Sequence, residues 1–529
     1  MKALFEQDPA PFVEESERAL ESRLRAAAEV LLPASCDIDG VAARGTGVLA
    51  DTLARQVQST ARVDELWLLL TAVAASFPAA ELLARVRREL SLAEPSLALI
   101  TLLDGISRSG VWLRSMASSI RIVQDSPVVD VDFCATNEHN TGIQRVVRET
   151  VALWNAEHPL VLARWNDGDD AFCALSGVES DRVLEWNTRS AGPSGDSSVR
   201  GLEAAAPVLI VPFRTTVILP EAARESVSAR LAALAEFSGN RVVMIGYDAI
   251  PFVSADLLPD TETEKFARYS TIVKHASRVA AISVSAAEEF RGYTDAARAQ
   301  GLSGPQVSAV LLPAQPPGAV SAPSASGSLS ASRSGSAQAG TPGSGRLVLI
   351  VGNQEPRKNL LAVLFAAETL WRSGLRFRLR MIGGARPDYK RLVDREVTRL
   401  RRAGFAVELM RGVGDDVLAD SYRSAWFTIF PSIHEGYGLP VAESLALGVP
   451  SITSNFGSTL EIASGGGCLT VDPRDDADIT ATMRRLLTDD ALHDSLVAEA
   501  LARSPRTWQD YASELWRDLM EPLEAGTHV

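Results

Sequence analysis

The chain has 529 residues, 46% hydrophobic and 22% charged, the composition of a folded globular protein of about three domains at ~150 residues each. Its 52 basic and 66 acidic residues leave a net charge of −14, which argues against a general nucleic-acid binder but not against a locally positive pocket. Cys36, Cys134, Cys173 and Cys468 lack metal-like spacing, the opening MKALFEQDPAPFVEESER is charged too early for a signal peptide, and the apolar run 66–77 falls short of the ~20 residues that cross a bilayer. Reduced thiols in a cytosolic protein are the expectation.

From residue 14 to about 124 the sequence is rich in Ala, Leu, Arg and Glu at helical spacing, as in ESERALESRLRAAAEVLL. This predicts a helical region for packing support, partner binding or docking on a membrane surface, with Arg85, Arg87 and Arg88 on a solvated face. After Pro127, VVDVDF predicts a strand, and CATNEHNTGIQRVVRETVALW a polar loop running into an amphipathic helix, with Thr141 as its N-cap. Further strands are predicted at 160–163, 207–211 and 241–246, with a helix over 220–237. That alternation points to an open parallel sheet. YDAIPF follows the strand RVVMIG, so Asp248 either meets a ligand hydroxyl or caps a turn. A helix over 262–277, a strand ending at serines that start another helix, and VSAVLLP close the first unit. Residues 316–345 are Ser, Gly, Ala and Pro with almost nothing to bury, and predict a flexible connector.

A second unit opens with the strand RLVLIVG and runs into NQEPRKN, where Arg357 and Lys358 are adjacent cations at a loop and helix start. Such a pair can neutralise a diphosphate leaving group, or can simply be two solvated bases. The strands FRLRMIG, with Gly383 and Gly384, and AVELM, followed by Gly412 and Val413, bracket a basic helix after Pro387. WFTIF is then a buried strand, and Gly436 and Gly438 around Tyr437 form a loop that bends sharply before Leu439. Pro440 begins the helix VAESLAL, which stops at Gly448. The amides of that turn make an anion site. Glu435 and Glu443, eight positions apart, are acceptors for sugar and ribose hydroxyls on either side of a diphosphate. The plainer alternative makes them a solvated loop charge and a first-turn helix acid.

HEGYGLPVAE resembles the Glu-X7-Glu motif of retaining GT-B glycosyltransferases, in particular family 4 (group 1). VGNQEPRKN is similar to that family's cationic loop, and TGIQRV resembles a branch that builds bacterial polysaccharides. The resemblance implies an α/β protein of the GT-B fold: two Rossmann-like doubly wound domains and an extra helical N-terminal region. Its parts would be the helical region 1–125, an acceptor domain 126–315, the linker 316–345 and a donor domain 346–529. It implies that Glu435 binds the donor sugar, Glu443 the ribose and Arg357 with Lys358 the diphosphate. The backbone of Gly436, Tyr437, Gly438 and Leu439 would hold phosphate oxygens, Thr141 and Gly142 would lie near the phosphates or the acceptor, and Gly383, Gly412 and Val413 would border the base. Asp248 would meet the acceptor, beside Tyr247 where relatives carry histidine. The implied activity is retaining transfer of a hexose, mannose or rhamnose favoured, from a nucleotide-diphosphate sugar to a glycan or lipid-linked acceptor in surface polysaccharide synthesis. No metal or other cofactor is implied, no nucleic acid, and a cytoplasmic place with peripheral association at the inner membrane face left open. A GT-B nucleotide-sugar epimerase and a non-catalytic nucleotide-sugar-binding scaffold are the alternatives; a dehydrogenase fails for want of G-x-G-x-x-G with an acid ~20 residues on.

Overall fold

The computed structural model describes residues 10–109, 116–186, 207–314, 345–504 and 506–522. The connector expected over 316–345 lies outside them apart from Gly345. Among the described residues, two sheets organise the chain. The first has nine strands: β1 Ile120–Val123, β2 Val128–Asp130, β3 Val161–Trp165, β4 Phe172–Ala174, β5 Leu209–Pro212, β6 Thr216–Leu219, β7 Arg241–Gly246, β8 Arg278–Ala281 and β9 Gln306–Ala309. The second has six: β10 Arg346–Val351, β11 Phe377–Ile382, β12 Val407–Met410, β13 Phe427–Phe430, β14 Ser451–Ser454 and β15 Cys468–Val471.

The second sheet is parallel throughout, in the order β12-β11-β10-β13-β14-β15. The chain winds outward one way from β10 and then the other way from β13, so their carboxyl ends diverge into a crevice. In open α/β sheets that reversal is where ligands bind. The order of the first sheet is β1-β5-β4-β3-β2-β6-β7-β8-β9, with its own reversal between β2 and β6. The expected open parallel sheet carries one exception, because β4 runs antiparallel to both β3 and β5. It is a three-residue return strand, too short to leave an alternating pattern in sequence. VVDVDF also splits: only Val128–Asp130 is strand, and Asp132–Thr136 turns into a short helix.

The helical region is built onto the first sheet, and its apolar residues share one continuous core with the strands. β1 lies before residue 125 and is hydrogen bonded into that sheet. Arg23, fully buried, donates to the carbonyls of Ala72 (2.8 Å), Met116 and Ser118 (both 2.7 Å), tying the first helix to the chain entering β1. Arg214 reaches back to Asp64 and Glu65 at 2.8 and 3.0 Å. The helix Val63–Ala74, which holds most of the apolar run 66–77, is buried along nearly its whole length. Arg87 and Arg88 are exposed, whereas Arg85 is half-buried and donates to the Gly105 carbonyl at 3.0 Å.

At the other end of the chain, the helix Trp508–Met520 leaves the second unit and packs on the helix Gly142–Glu157 of the first. Trp154 Nε1 donates to Ala512 O at 2.9 Å and Arg241 donates to Leu519 O at 2.7 Å. The four cysteines are free thiols. No helix among the described residues is long and apolar enough to cross a membrane.

Candidate active site

The two turns that leave the reversal point of the second sheet supply its charged groups. After β10 the chain makes a 3-10 turn, Pro356–Lys358, closed by Asn359 in the left-handed region at φ 56°, so Arg357 and Lys358 precede the next helix instead of opening it. After β13, residues 431–438 carry Glu435 toward them. Arg357 NH1 lies 2.8 Å from Glu435 Oε2, and Lys358 Nζ is hydrogen bonded to Oε1. Arg357 also holds Glu355 at 3.0 Å and the His434 carbonyl at 3.1 Å. Lys358 Nζ sits 4.7 Å from the centre of the Phe430 ring.

Burial alone would raise the Glu435 carboxyl, but the Lys358 and Arg357 charges outweigh it and bring the pKa down to about 2. Burial pulls the Lys358 ammonium below its usual value, opposed by Glu435. The group is an ionised, largely desolvated cluster in which both cations share Glu435 and Arg357 also pairs with Glu355.

Glu443 belongs to a different cluster. On the helix Leu439–Ala446 it is buried, and its Oε1 accepts from Arg145 of the first unit at 2.7 Å. Its Oε2 accepts from the buried Tyr422 hydroxyl at 2.9 Å. The two glutamates thus flank the glycine turn without sharing a partner. Val413 lies in an apolar cluster with Leu349, Ile382, Tyr422 and Val449, next to the Glu443 tether. Gly383 (φ 149°) ends β11, and a Cβ there would meet the Gly352 carbonyl at 2.0 Å, so backbone meets backbone beside the crevice.

The first unit closes over this edge. Asp248 is half-buried beside Gly436: a Cβ on Gly436 would lie 2.6 Å from the Tyr247 carbonyl and 3.0 Å from Asp248 Oδ2. Asp248 accepts from Ile250 N at 3.2 Å, and burial raises its carboxyl against the Arg357 charge. Gly142 faces Leu439, with 3.3 Å from an added Cβ to its side chain. Thr141 takes the N-cap position of the helix Gly142–Glu157 and its side chain engages Gln144. Tyr437 is placed otherwise than a donor contact through its side chain would require. Its hydroxyl donates to Leu312 O at 2.7 Å, and its ring joins the apolar contact between the units. Tyr247 likewise points into the first unit, donating to Pro220 O at 2.7 Å.

Several further residues build the closure, outside the site residues singled out in the sequence. Ser283 Oγ donates to Gly436 O at 2.6 Å, and Glu461 accepts from Val284 N (2.9 Å) and Ser285 N (2.7 Å), capping a first-unit helix from the second unit. His434 Nε2 lies 2.6 Å from Glu289 Oε1 and its Nδ1 2.8 Å from Ser254 Oγ. Burial lowers the His434 pKa, yet Glu289, Asp248 and Glu435 together leave it raised. Arg145 and His434 stand inside TGIQRV and HEGYGLP, so position in a motif was the available clue for those two.

At the reversal point of the first sheet, buried Glu221 accepts from Phe133 N at 2.7 Å and Cys134 N at 2.8 Å. Burial, with the nearby Asp132 charge, pushes its carboxyl up to about 7. The folded state therefore holds this proton more tightly than the unfolded chain, whose carboxyl titrates near its ordinary 4.5. Its stabilising contribution is complete below pH 4.5 and is lost as pH rises through about 7. Glu221→Gln is expected to flatten the fall in Tm across that window; a parallel pH profile for both proteins would contradict the assignment.

Two Rossmann-like sheets with their carboxyl edges apposed, and a last helix returning to the first unit, are the GT-B architecture. Among solved structures, sucrose-phosphate synthase from Thermosynechococcus elongatus matches with a TM-score of 0.50 over 74% of this chain and 98% of that one, at 14% identity, a likeness of fold. Residues 334–503, which carry both clusters of the second unit, match the family described as glycosyl transferases group 1. Over 168 residues it is 31% identical to the O-antigen chain mannosyltransferase B of Escherichia coli, covering 31% of this chain and 43% of that protein. Over 202 residues it is 36% identical to a D-inositol 3-phosphate glycosyltransferase of Acidothermus cellulolyticus, covering 36% of this chain and 44% of that one. The matched stretch thus spans less than half the length of either relative.

Proposed function

We propose that the protein is a retaining glycosyltransferase that moves a hexose from a nucleotide-diphosphate sugar to a hydroxyl of a glycan or lipid-linked acceptor in bacterial surface polysaccharide synthesis. The observation that carries this is the meeting of Arg357, Lys358 and Glu435 at the reversal point of the second sheet, with Asp248 of the first unit against the adjoining Gly436. Mannose is the favoured sugar, since the Escherichia coli relative is a mannosyltransferase, and rhamnose the second.

In the proposed reaction the bond from the anomeric carbon to the diphosphate oxygen breaks while the acceptor oxygen bonds to that carbon on the same face. The acceptor proton passes to the departing phosphate, so no protein base is needed. Arg357 and Lys358 stabilise the charge that collects on the diphosphate, where a dry, preformed site makes each cation count for more than in water. Neither a metal nor another cofactor enters. Glu435 both orients the two cations and accepts from a sugar hydroxyl; Glu443 accepts from the ribose. Work on a lipid-linked acceptor fits a cytoplasmic protein docked at the inner face of the membrane.

The test is a panel of nucleotide sugars with the full chain, scored for saturable binding and for release of nucleoside diphosphate on adding polyprenol-linked glycans. No binding across the panel would sink the assignment. Binding without release under any acceptor marks the scaffold alternative, and conversion of the sugar with no acceptor marks the epimerase.

A further inference from the structure

We infer that Arg145, on the first unit, is a positioning residue for nucleoside recognition: it holds the Glu443 carboxylate in place and ionised for the donor ribose, and does so only when the two units are apposed. The inference rests on the assignment of Glu443 to the ribose and adds the residue that makes that carboxylate usable.

The geometry assigns each oxygen of Glu443 one tether. Tyr422, from the same unit, holds Oε2; Arg145, from the other, holds Oε1 at 2.7 Å. Both ends of the ion pair are largely sheltered, with side-chain exposures of 16% and 8%. Arg145 is itself positioned by three elements. It projects from the helix Gly142–Glu157, meets the helix Leu439–Ala446 through Glu443, and lies 5.7 Å from the centre of the Trp508 ring on the returning C-terminal helix. An ionised carboxylate has about four acceptor positions, so two tethers leave room for a ribose diol. A protonated one becomes partly a donor and loses that match.

Charge supports the same assignment. Burial pushes the Glu443 carboxyl up, the Arg145 charge is the largest opposing influence, and the Tyr422 hydroxyl comes next, while Asp415 adds to the upward push. A buried carboxylate stripped of its one cationic partner is expensive to keep ionised. Because Arg145 and Glu443 belong to different units, the acceptor for the ribose is complete only in the closed arrangement, which couples nucleoside binding to closure.

The experiment measures binding of ADP, GDP and UDP, of their 2′-deoxy counterparts and of inorganic diphosphate to the full chain by calorimetry. The native chain is expected to prefer the best-bound ribonucleotide over its deoxy form by about tenfold, as for one hydrogen bond to a charged group. Arg145→Met and Arg145→Gln are each expected to abolish most of that preference while leaving deoxy forms and inorganic diphosphate within about twofold, and Arg145→Lys to restore part of it. Equal weakening of ribo and deoxy forms, or of inorganic diphosphate, in whichever of the two variants folds would overturn the inference and make Arg145 a phosphate contact. A ribose preference unchanged in Arg145→Met or Arg145→Gln but lost in Glu443→Gln overturns it too. A preference that survives Glu443→Gln removes the ribose assignment itself.

Discussion

Lys358→Ala is expected to lower kcat for sugar transfer by about 10²–10³, the loss typical when one preformed charge-stabilising donor is taken from an active site. The reason is local. Lys358 is largely sheltered against Phe430, and one of its three N–H donors goes to Glu435, so the ammonium lies at the carboxyl end of the β10 turn with donors to spare. Arg357 is a poor replacement, because its guanidinium is already divided among Glu355, Glu435 and the His434 carbonyl. Glu435→Gln is expected to hurt differently, by removing the shared carboxylate that fixes both cations. Stability provides a second readout. The Glu435 carboxyl sits near 2 in the folded protein against an ordinary 4.5, so the contribution it makes is present above 4.5 and is lost as pH falls toward 2. Without Lys358 the folded pKa moves back up, and acid unfolding followed by circular dichroism should begin at higher pH. A variant with kcat within threefold of the native chain and the same acid midpoint would remove Lys358 from the chemistry.

What the sequence revealed followed the distance over which residues had to act. Glu435, Gly436, Gly438, Leu439 and Glu443 sit on one strand-turn-helix, so their order in the chain already is their order in space. Arg357 and Lys358 were also legible, because β10 and β13 are neighbours at the one place where the second sheet reverses. What they would touch was not. The partners of the glycine turn come from the first unit: Ser283 on Gly436, Glu289 on His434, Arg145 on Glu443, separated by 153, 145 and 298 positions. Such contacts are set by how two units dock and leave no period or cap signature. Tyr247 shows the limit from the other side. Its departure from the familiar histidine was plain in the sequence, but only the structure shows that its ring turns into the first unit toward Pro220, while His434 of the facing loop takes the polar place near Asp248. The strands β1, β4 and β6, three or four residues long, were not read from the sequence, although β2, at the VVDVDF run, is as short and was.

Gly436→Ala should separate closure from folding. Within its own unit Gly436 meets no obstacle to a methyl group among its nearest neighbours; the contacts at 2.6 Å to the Tyr247 carbonyl and 3.0 Å to Asp248 both belong to the other unit. The first is backbone and cannot swing aside, so the added methyl must push the units apart at the point where Ser283 is bonded to the Gly436 carbonyl. A displacement of about an ångström between reacting groups costs on the order of 10² in rate, and kcat/KM for transfer is expected to fall by about that factor. Tm should change little, because the obstacles to the methyl group lie across the boundary between the units and not inside the second unit. Gly438 makes the contrast: at φ 110°, with an added Cβ 2.9 Å from Thr459 of its own unit, Gly438→Ala strains the second unit itself and should lower Tm. Ser283→Ala removes the hydrogen bond without adding bulk and should cost far less than Gly436→Ala. If Gly436→Ala retains native kcat/KM, the closed arrangement is not the one in which transfer occurs, and the cross-unit contacts of Asp248 and Arg145 lose their claim on the reaction.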